Sequence, residues 1–390
     1  MPTPNRAQMA DIRGASRLLF HATAGVVDVV ERMHRTIQRR PWPFGHAIDE
    51  ATRGITGFVY RNVRGSVRLI GHGVDLSLGP IVGLFPEGPT TAGRDVFVSI
   101  LNGIYGDYLA RSGNPLAAEM TLRHEGAALD PSELRLATGP VPDKLVLLVH
   151  GLCMSEHHWL REGRGHGTAL AEEFGLLPVY LRYNSGLHVA DNGRRLADLL
   201  QSVVERWPCR LSDVSIVGHS MGGLIARSAA HYGHARGHTW PRLLRRLVFL
   251  GTPHHGSPLE RGGHHLDYLL ELSPYSAPFT KFGRARSAGI QSLRHGAVTD
   301  DSEDIVPLPA GVACFAAAAT IGARNMPLAE RLVGDGLVPL DSALGRHVDR
   351  RRSLHLPKSR QWVGHDMGHL ELLHRPEVYA QLRAWFAEPA

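Results

Sequence analysis

One stretch limits the possible folds of this chain more than any other: residues 214–230, VSIVGHSMGGLIARSAA. Val214, Ile216 and Val217 are a short β-branched run of the kind that forms a buried strand. Gly218-His219-Ser220-Met221-Gly222 fits G-x-S-x-G, and Leu224 and Ile225 open an apolar helical pattern behind it. A strand, a sharp glycine-flanked turn and a helix, in that order, hold a serine in strained geometry at the carboxyl end of a sheet. Such a turn closes only if its neighbours are small, and Gly218, Gly222 and Gly223 meet that need. The pentapeptide also occurs by chance in unrelated chains. The rest of the sequence must therefore supply a base, an acid and oxyanion donors in a fitting order.

Around this stretch the periodicity switches between strand and helix. Alternation at Ala118, Met120 and Leu122 and again at Leu134 and Leu136, with GAALDP between them, predicts two leading strands. KLVLLVHG (144–151) and LLPVYLRY (176–183) read as strands, the first as a central one covered on both faces. A helical stripe follows at Leu196, Leu199, Leu200, Val203, Val204 and Trp207, with Asp191 or Asn192 as its cap. Further strands are predicted at 247–250, at the alanine-rich 312–320 and at about 354–363, and a closing helix begins at Pro376. This alternation predicts an α/β protein with a mostly parallel central sheet flanked by helices.

Two regions fall outside that scheme. Residues 1–115 read as a helical N-terminal extension, with apolar stripes at Leu18 to Met33, Ile55 to Val63 and Phe97 to Tyr108. They serve either to dock on lipid or to shape an entrance, or they simply pack on the main domain, 116–390. Within that domain 257–305 is too long for an ordinary loop, and is expected to be a cap or lid inserted after the sixth strand.

Composition narrows the class. Apolar residues make up 43% of the 390 and charged ones 21%, enough for a sizeable core and too ordered a mixture for a disordered chain. The formal charge of +6 raises nucleic acid as a partner, but the arginines are dispersed and no aromatic–basic repeat appears. The basic excess fits solubility or attraction to anionic membrane surfaces instead. Cys153, Cys209 and Cys314 show no metal or disulfide spacing. The first residues lack a secretory pattern, and no apolar stretch is long enough to span a bilayer, so an unexported cytoplasmic protein is expected.

A serine hydroxyl needs an imidazole within reach and a carboxylate that orients it. In sheets that carry this turn the partners follow in the order serine, acid, histidine. Asp335, in Gly334-Asp335-Gly336-Leu337-Val338-Pro339, and His369, in Gly368-His369-Leu370-Glu371, fit that order and fall on loops after strands. Asp341 and His365 are the rivals, and Asp300, Asp301 and Asp304 read as a solvated loop face. His219 reads as a packing residue beside the serine. Oxyanion donors are expected from the N–H of Met221 and from the loop after KLVLLV: Leu152, with Cys153 as the alternative. The histidine pairs 157–158, 254–255 and 264–265 come without H-E-x-x-H or a cysteine pair, so neither a metal nor a cofactor is expected.

Taken together, His150-Gly151-Leu152, Gly218-His219-Ser220-Met221-Gly222-Gly223, Gly251-Thr252-Pro253-His254-His255-Gly256-Ser257, Asp335-Gly336-Leu337-Val338-Pro339 and His369-Leu370 resemble the α/β-hydrolase superfamily, and within it bacterial lipases and esterases. The resemblance covers about residue 118 onward. It implies Ser220 as nucleophile, His369 as base, Asp335 as orienting acid and Leu152 and Met221 as oxyanion donors. It implies hydrolysis of a small-molecule or lipid ester with a hydrophobic acyl group through an acyl-enzyme. The alternatives are an acyltransferase using the same residues and a non-catalytic binding protein on this fold. Nothing in the sequence fixes the oligomeric state.

Overall fold

Strand β3 (Lys144–Val149) sorts its side chains to opposite faces of the sheet. Leu145, Leu147 and Val149 enter one apolar cluster, Val146 and Leu148 another, and all five are buried. A strand covered on both faces must sit centrally in a doubly wound sheet. The computed structural model describes residues 6–39, 54–83, 92–136, 139–161, 163–256, 287–301, 306–322 and 334–388.

The chain divides into two compact units, 1–91 with 111–116, and 92–110 with 117–390. In the first, α1 (Arg6–Arg39) packs against α2 (Gly54–Gly83). Arg13 and Arg17, one turn apart on α1, both grip Asp75 of α2 with Nε–Oδ1 distances of 2.7 and 2.5 Å. Those two guanidiniums hold the Asp75 carboxyl well below the usual carboxylate range.

The second unit begins with α3 (Ala92–Arg111), whose residues 92–110 group with the sheet rather than with α1 and α2. The expected break at 115/116 puts α3 in the extension, yet Ile100 and Ile104 join the cluster that covers one sheet face. A hairpin follows, β1 (Thr121–His124) and β2 (Ala127–Ala128). Its reversal is at Glu125-Gly126, both with positive φ (47° and 79°), a tight two-residue turn. The second leading strand therefore comes earlier than Leu134–Leu136. Those residues follow a short turn, Pro131–Glu133, capped by Asp130.

After β3 come α4 (His166–Phe174), β4 (Leu177–Arg182), α5 (Val189–Arg206), β5 (Asp213–His219), α6 (Met221–Ala235), β6 (Leu244–Leu250), α7 (Ala288–His295), β7 (Ala313–Ala319), α8 (Leu340–Ala343), β8 (Gln361–Gly364) and α9 (Pro376–Ala387). The eight strands are ordered β2-β1-β4-β3-β5-β6-β7-β8. All pairings from β4 to β8 are parallel, and only β1 runs antiparallel to its neighbours. α3, α5 and α6 contribute to the apolar cluster on one face, α4 and α9 to that on the other. The alanines of β7 suit a strand covered on both sides, where Phe315 stacks on Trp385 of α9 at 5.0 Å.

α5 starts before its expected caps. Asn192 instead donates its side-chain amide to Asn184 O at 2.9 Å, and Ser292 of α7 accepts the Val189 N–H at 3.3 Å. Most of the expected lid, 257–286 and 302–305, lies outside the described residues. Among the described residues no helix is long and apolar enough to cross a membrane.

Candidate active site

β5 ends at His219 and α6 begins at Met221, so Ser220 alone makes the turn between them. Its φ of 53° and ψ of −124° lie in a region that side chains other than glycine rarely enter. The surroundings force that conformation. Ser220 N–H donates to Leu250 O at 2.8 Å, and Gly223 N–H donates to Ser220 O at 3.1 Å. A Cβ on Gly222 would come 2.2 Å from Val149 O, so the helix start passes over β3 with no room for a side chain.

Asp335 and His369 are in direct contact. His369 Nδ1 lies 2.6 Å from Asp335 Oδ2, and both side chains are almost wholly buried. The other carboxylate oxygen, Oδ1, accepts from the N–H groups of Leu337 at 3.0 Å and Val338 at 2.8 Å. The carboxylate is thus held by two amides and one imidazole, which fixes the Nδ1–H tautomer of His369 and leaves Nε2 as the basic nitrogen. His369 N–H also donates to Asp335 O at 3.2 Å. These loops are drawn together at the carboxyl ends of β7 and β8, where Thr320 N–H bonds Gly364 O and Met367 N–H bonds Thr320 O.

Ser220 adjoins this pair through its neighbour. His219 is fully buried, its Nε2 lies 3.1 Å from His369 O, and the two rings are 4.7 Å apart. Burial, reinforced by the nearby His369, holds the His219 imidazole well below its ordinary range, so it is a neutral donor.

The loop after β3 reaches Ser220 from the other side. The position of a Cβ on Gly151 is 3.0 Å from Ser220 Cβ. Cys153, at φ 60°, donates its N–H to Ser185 Oγ at 3.1 Å, so that amide is already engaged. Burial pushes the Cys153 thiol up to about 12, which keeps it protonated and unreactive at neutral pH. α3 backs this loop. A Cβ on Gly103 would fall 2.3 Å from Cys153 Sγ, and Ser287 Oγ bonds Gly103 O at 2.6 Å. Sequence reasoning passed over Ser185 and Gly103. The polar turn Asn184-Ser185-Gly186, directly after a predicted strand, was the available signal.

The rivals lie apart. Asp341 is half-buried and faces Arg346 at 3.7 Å, and Asp300 pairs with Arg194 at 2.7 Å. His365 sits just past β8 and half-buried, outside the Asp335–His369 contact. His254 is buried against Arg227 of α6, with 3.3 Å between His254 Nδ1 and Nη1. Arg227 also donates from Nη2 to Val306 O at 2.7 Å, and burial lowers its guanidinium to about 10. Both residues therefore brace the loop after β6 from behind.

Among the described residues Asp95, Glu156 and His157 have donor atoms within 4.8 Å of one another. Arg182 bonds Asp95 at 2.7 Å and both oxygens of Glu156, and Arg123 lies 3.6 Å from Glu156. With Arg94 also 3.2 Å from Asp95, three guanidiniums already neutralise these carboxylates. The group fits an internal salt-bridge network tying α3 to the sheet better than a cation site.

The family model of the PGAP1-like alpha/beta domain matches residues 184–306. No curated protein sequence matches the chain. Among solved structures, Bacillus licheniformis lipase BlEst2 in its propeptide form aligns at 21% identity over 70% of this chain, with a TM-score of 0.45, and 54% of that longer chain is covered. Its mature form aligns at 21% identity over 69% of this chain and 96% of the other, with a TM-score of 0.42. The RedJ thioesterase of Streptomyces coelicolor aligns at 18% identity over 65% and 97%, with a TM-score of 0.36. The strained serine turn in an eight-stranded, mostly parallel sheet of this order is the α/β-hydrolase fold, and the family match runs through that turn.

Proposed function

We propose that the chain is a serine ester hydrolase of the lipase/carboxylesterase kind, with Ser220 as nucleophile, His369 as general base and Asp335 as the acid that orients it. The observation carrying this reading is the 2.6 Å contact from His369 Nδ1 to Asp335 Oδ2, with the remaining carboxylate oxygen occupied by two backbone amides. A carboxylate so held keeps the imidazole in the tautomer that can take a proton at Nε2 and stabilises the imidazolium that results.

Ser220 Oγ attacks the ester carbonyl carbon as His369 Nε2 takes the hydroxyl proton. The carbonyl oxygen becomes an oxyanion that accepts from the N–H groups of Leu152 and Met221. Met221 heads α6, where amides have no helical acceptor, and the Cys153 amide is spent on Ser185, which favours Leu152 as the second donor. Collapse breaks the ester C–O bond, and the alcohol leaves with the proton from His369. Water then attacks the acyl-enzyme and gives a proton to His369; the bond from the acyl carbon to Ser220 Oγ breaks, Oγ takes that proton back from His369, and the acid departs. A small-molecule or lipid ester with a hydrophobic acyl group is the proposed substrate.

The test is a fluorophosphonate probe together with p-nitrophenyl esters of graded chain length. The chain should be labelled at Ser220 and turn the esters over, and Ser220→Ala should lose both, with kcat down at least about 10⁴-fold. Labelling that persists at another residue in Ser220→Ala overturns the assignment. Product analysis with an added alcohol separates hydrolysis from acyl transfer.

A further inference from the structure

The two helices of the first unit present an outward surface that the proposed hydrolysis does not use. On α2 the residues turned inward are Arg64, Val67, Gly71, Val74 and Asp75, and the remaining arc of 61–76 is exposed. Leu69 and Leu76, two turns apart, are 74% and 63% exposed, and Ile70 and Val63 form the adjoining strip at 57% and 43%. Arg61 and Arg68 repeat with the same seven-residue spacing along the opposite border of that arc, with His72 beside them, all exposed. On α1, Ile12 and Leu19 are likewise seven apart and exposed at 53% and 65%.

Single exposed leucines need no explanation, but paired strips bordered by arginines have one. α1 and α2 together hold nine arginines against four carboxylates and no lysine. Arg13 and Arg17 are spent on Asp75, which leaves the exposed arginines of α2 on the outer border. Neither helix is apolar enough to cross a bilayer. A helix with an apolar strip, a cationic border and too little hydrophobicity to span is built to lie along a lipid interface. We infer that the outer face of α2, aided by α1, docks on an anionic membrane surface, with Leu69, Leu76 and Ile70 entering the acyl boundary and Arg61 and Arg68 meeting lipid phosphates. This surface is independent of the ester hydrolysis proposed above, so either can fail alone.

Cosedimentation of the full chain with vesicles tests it. Vesicles of phosphatidylcholine with about 30% phosphatidylserine should retain the chain, and the phosphatidylcholine-only vesicles should retain it at least about tenfold less. Raising the salt should release it. Leu69→Asp with Leu76→Asp should weaken retention at least about tenfold, since burial of two leucines is lost. Arg61→Gln with Arg68→Gln should lower it severalfold on anionic vesicles alone. Ser220→Ala should bind like the parent. All four altered α2 positions are exposed, so circular dichroism should show the helices kept. Three results overturn the inference. One is no retention on anionic vesicles. Another is retention that neither double variant changes. The third is a dimer in solution that Leu69→Asp with Leu76→Asp dissolves without any lipid binding.

Discussion

His219 and His369 are joined by a contact of 3.1 Å from the His219 ring nitrogen Nε2 to the backbone oxygen of His369. The backbone of the proposed base is thereby held at both ends, since its N–H donates to Asp335 O at 3.2 Å. Removing the ring leaves a buried carbonyl without its donor, at about 1–3 kcal/mol, and frees the base to shift. His219→Ala should lower kcat by about 10–100-fold with little change in KM. His219→Gln, which keeps a donor, should recover part of the loss. Steady-state kinetics on one p-nitrophenyl ester decide the matter, and unchanged kcat in His219→Ala counts against it.

The acid is tested at two positions. Asp335→Asn puts an amide where His369 Nδ1–H needs an acceptor and favours the wrong tautomer, so kcat should fall by about 10⁴-fold. Asp341 is half-buried and pairs with Arg346 at 3.7 Å, so Asp341→Asn should leave kcat within about twofold. The reverse pattern would exchange the two assignments.

The turn at Ser220 makes a stability experiment informative. A serine at φ 53° and ψ −124° stores strain on the order of 1–3 kcal/mol, which glycine does not bear. Glycine costs about 0.5–1 kcal/mol more chain entropy on folding, so a net gain of about 1 kcal/mol remains. Ser220→Gly should therefore be inactive and melt higher than Ser220→Ala, which keeps the strain. Equal melting temperatures would mean the turn is relaxed.

Much of this site was readable because its parts are local. Gly218 to Gly223 announce the turn by their own spacing, and Asp335 and His369 each sit in a short pattern after a strand. What sequence periodicity missed depends on distant residues meeting. Nothing near Gly103 says that its missing side chain makes room for Cys153, fifty residues later, so α3 read as part of an extension. The hairpin turn falls at the leading edge of the expected 126–131 stretch, where Glu125, a non-glycine residue at positive φ, makes it with Gly126. The cap of α5 comes from Ser292, about a hundred residues away, and no local signal could show that.

Acid should unfold the chain in a window set by its buried histidines. Burial lowers His150 and His166 to about 4, and His219 and His254 well below their ordinary range. These rings stay neutral in the folded chain while their unfolded counterparts gain protons below about 6.5. The unfolded state then binds more protons, so stability is full above about 6.5 and is lost as pH falls toward 4. A ring shifted to about 4 contributes on the order of 3 kcal/mol to that loss. The urea midpoint should fall steeply between pH 6.5 and 4, ahead of the range where carboxylates titrate. A midpoint flat across that window would show the histidines are not buried as described.

The last test concerns the contact between α3 and the loop that carries the proposed oxyanion donor. A Cβ on Gly103 would lie 2.3 Å from Cys153 Sγ, 2.8 Å from Cys153 N and 2.9 Å from Cys153 Cα. Two of these atoms are backbone and cannot swing aside, so Gly103→Ala must push either the helix or the loop. Helix propensity alone would favour alanine by about 1 kcal/mol, which makes any loss a measure of the clash. Gly65 is the control: it is on α2, exposed, and no atom lies within 4 Å of its Cβ position. Gly65→Ala should raise stability by about 0.5–1 kcal/mol and leave ester turnover unchanged. Gly103→Ala should instead lower stability by about 1–3 kcal/mol. A displaced loop also takes the Leu152 amide away from the oxyanion, so kcat should fall by about 10²-fold or more. Gly103→Ala with Cys153→Ala removes the sulfur but not the backbone atoms, so it should restore part of the stability and less of the rate. Full recovery of both would locate the clash in the thiol and leave α3 no hold on the loop backbone.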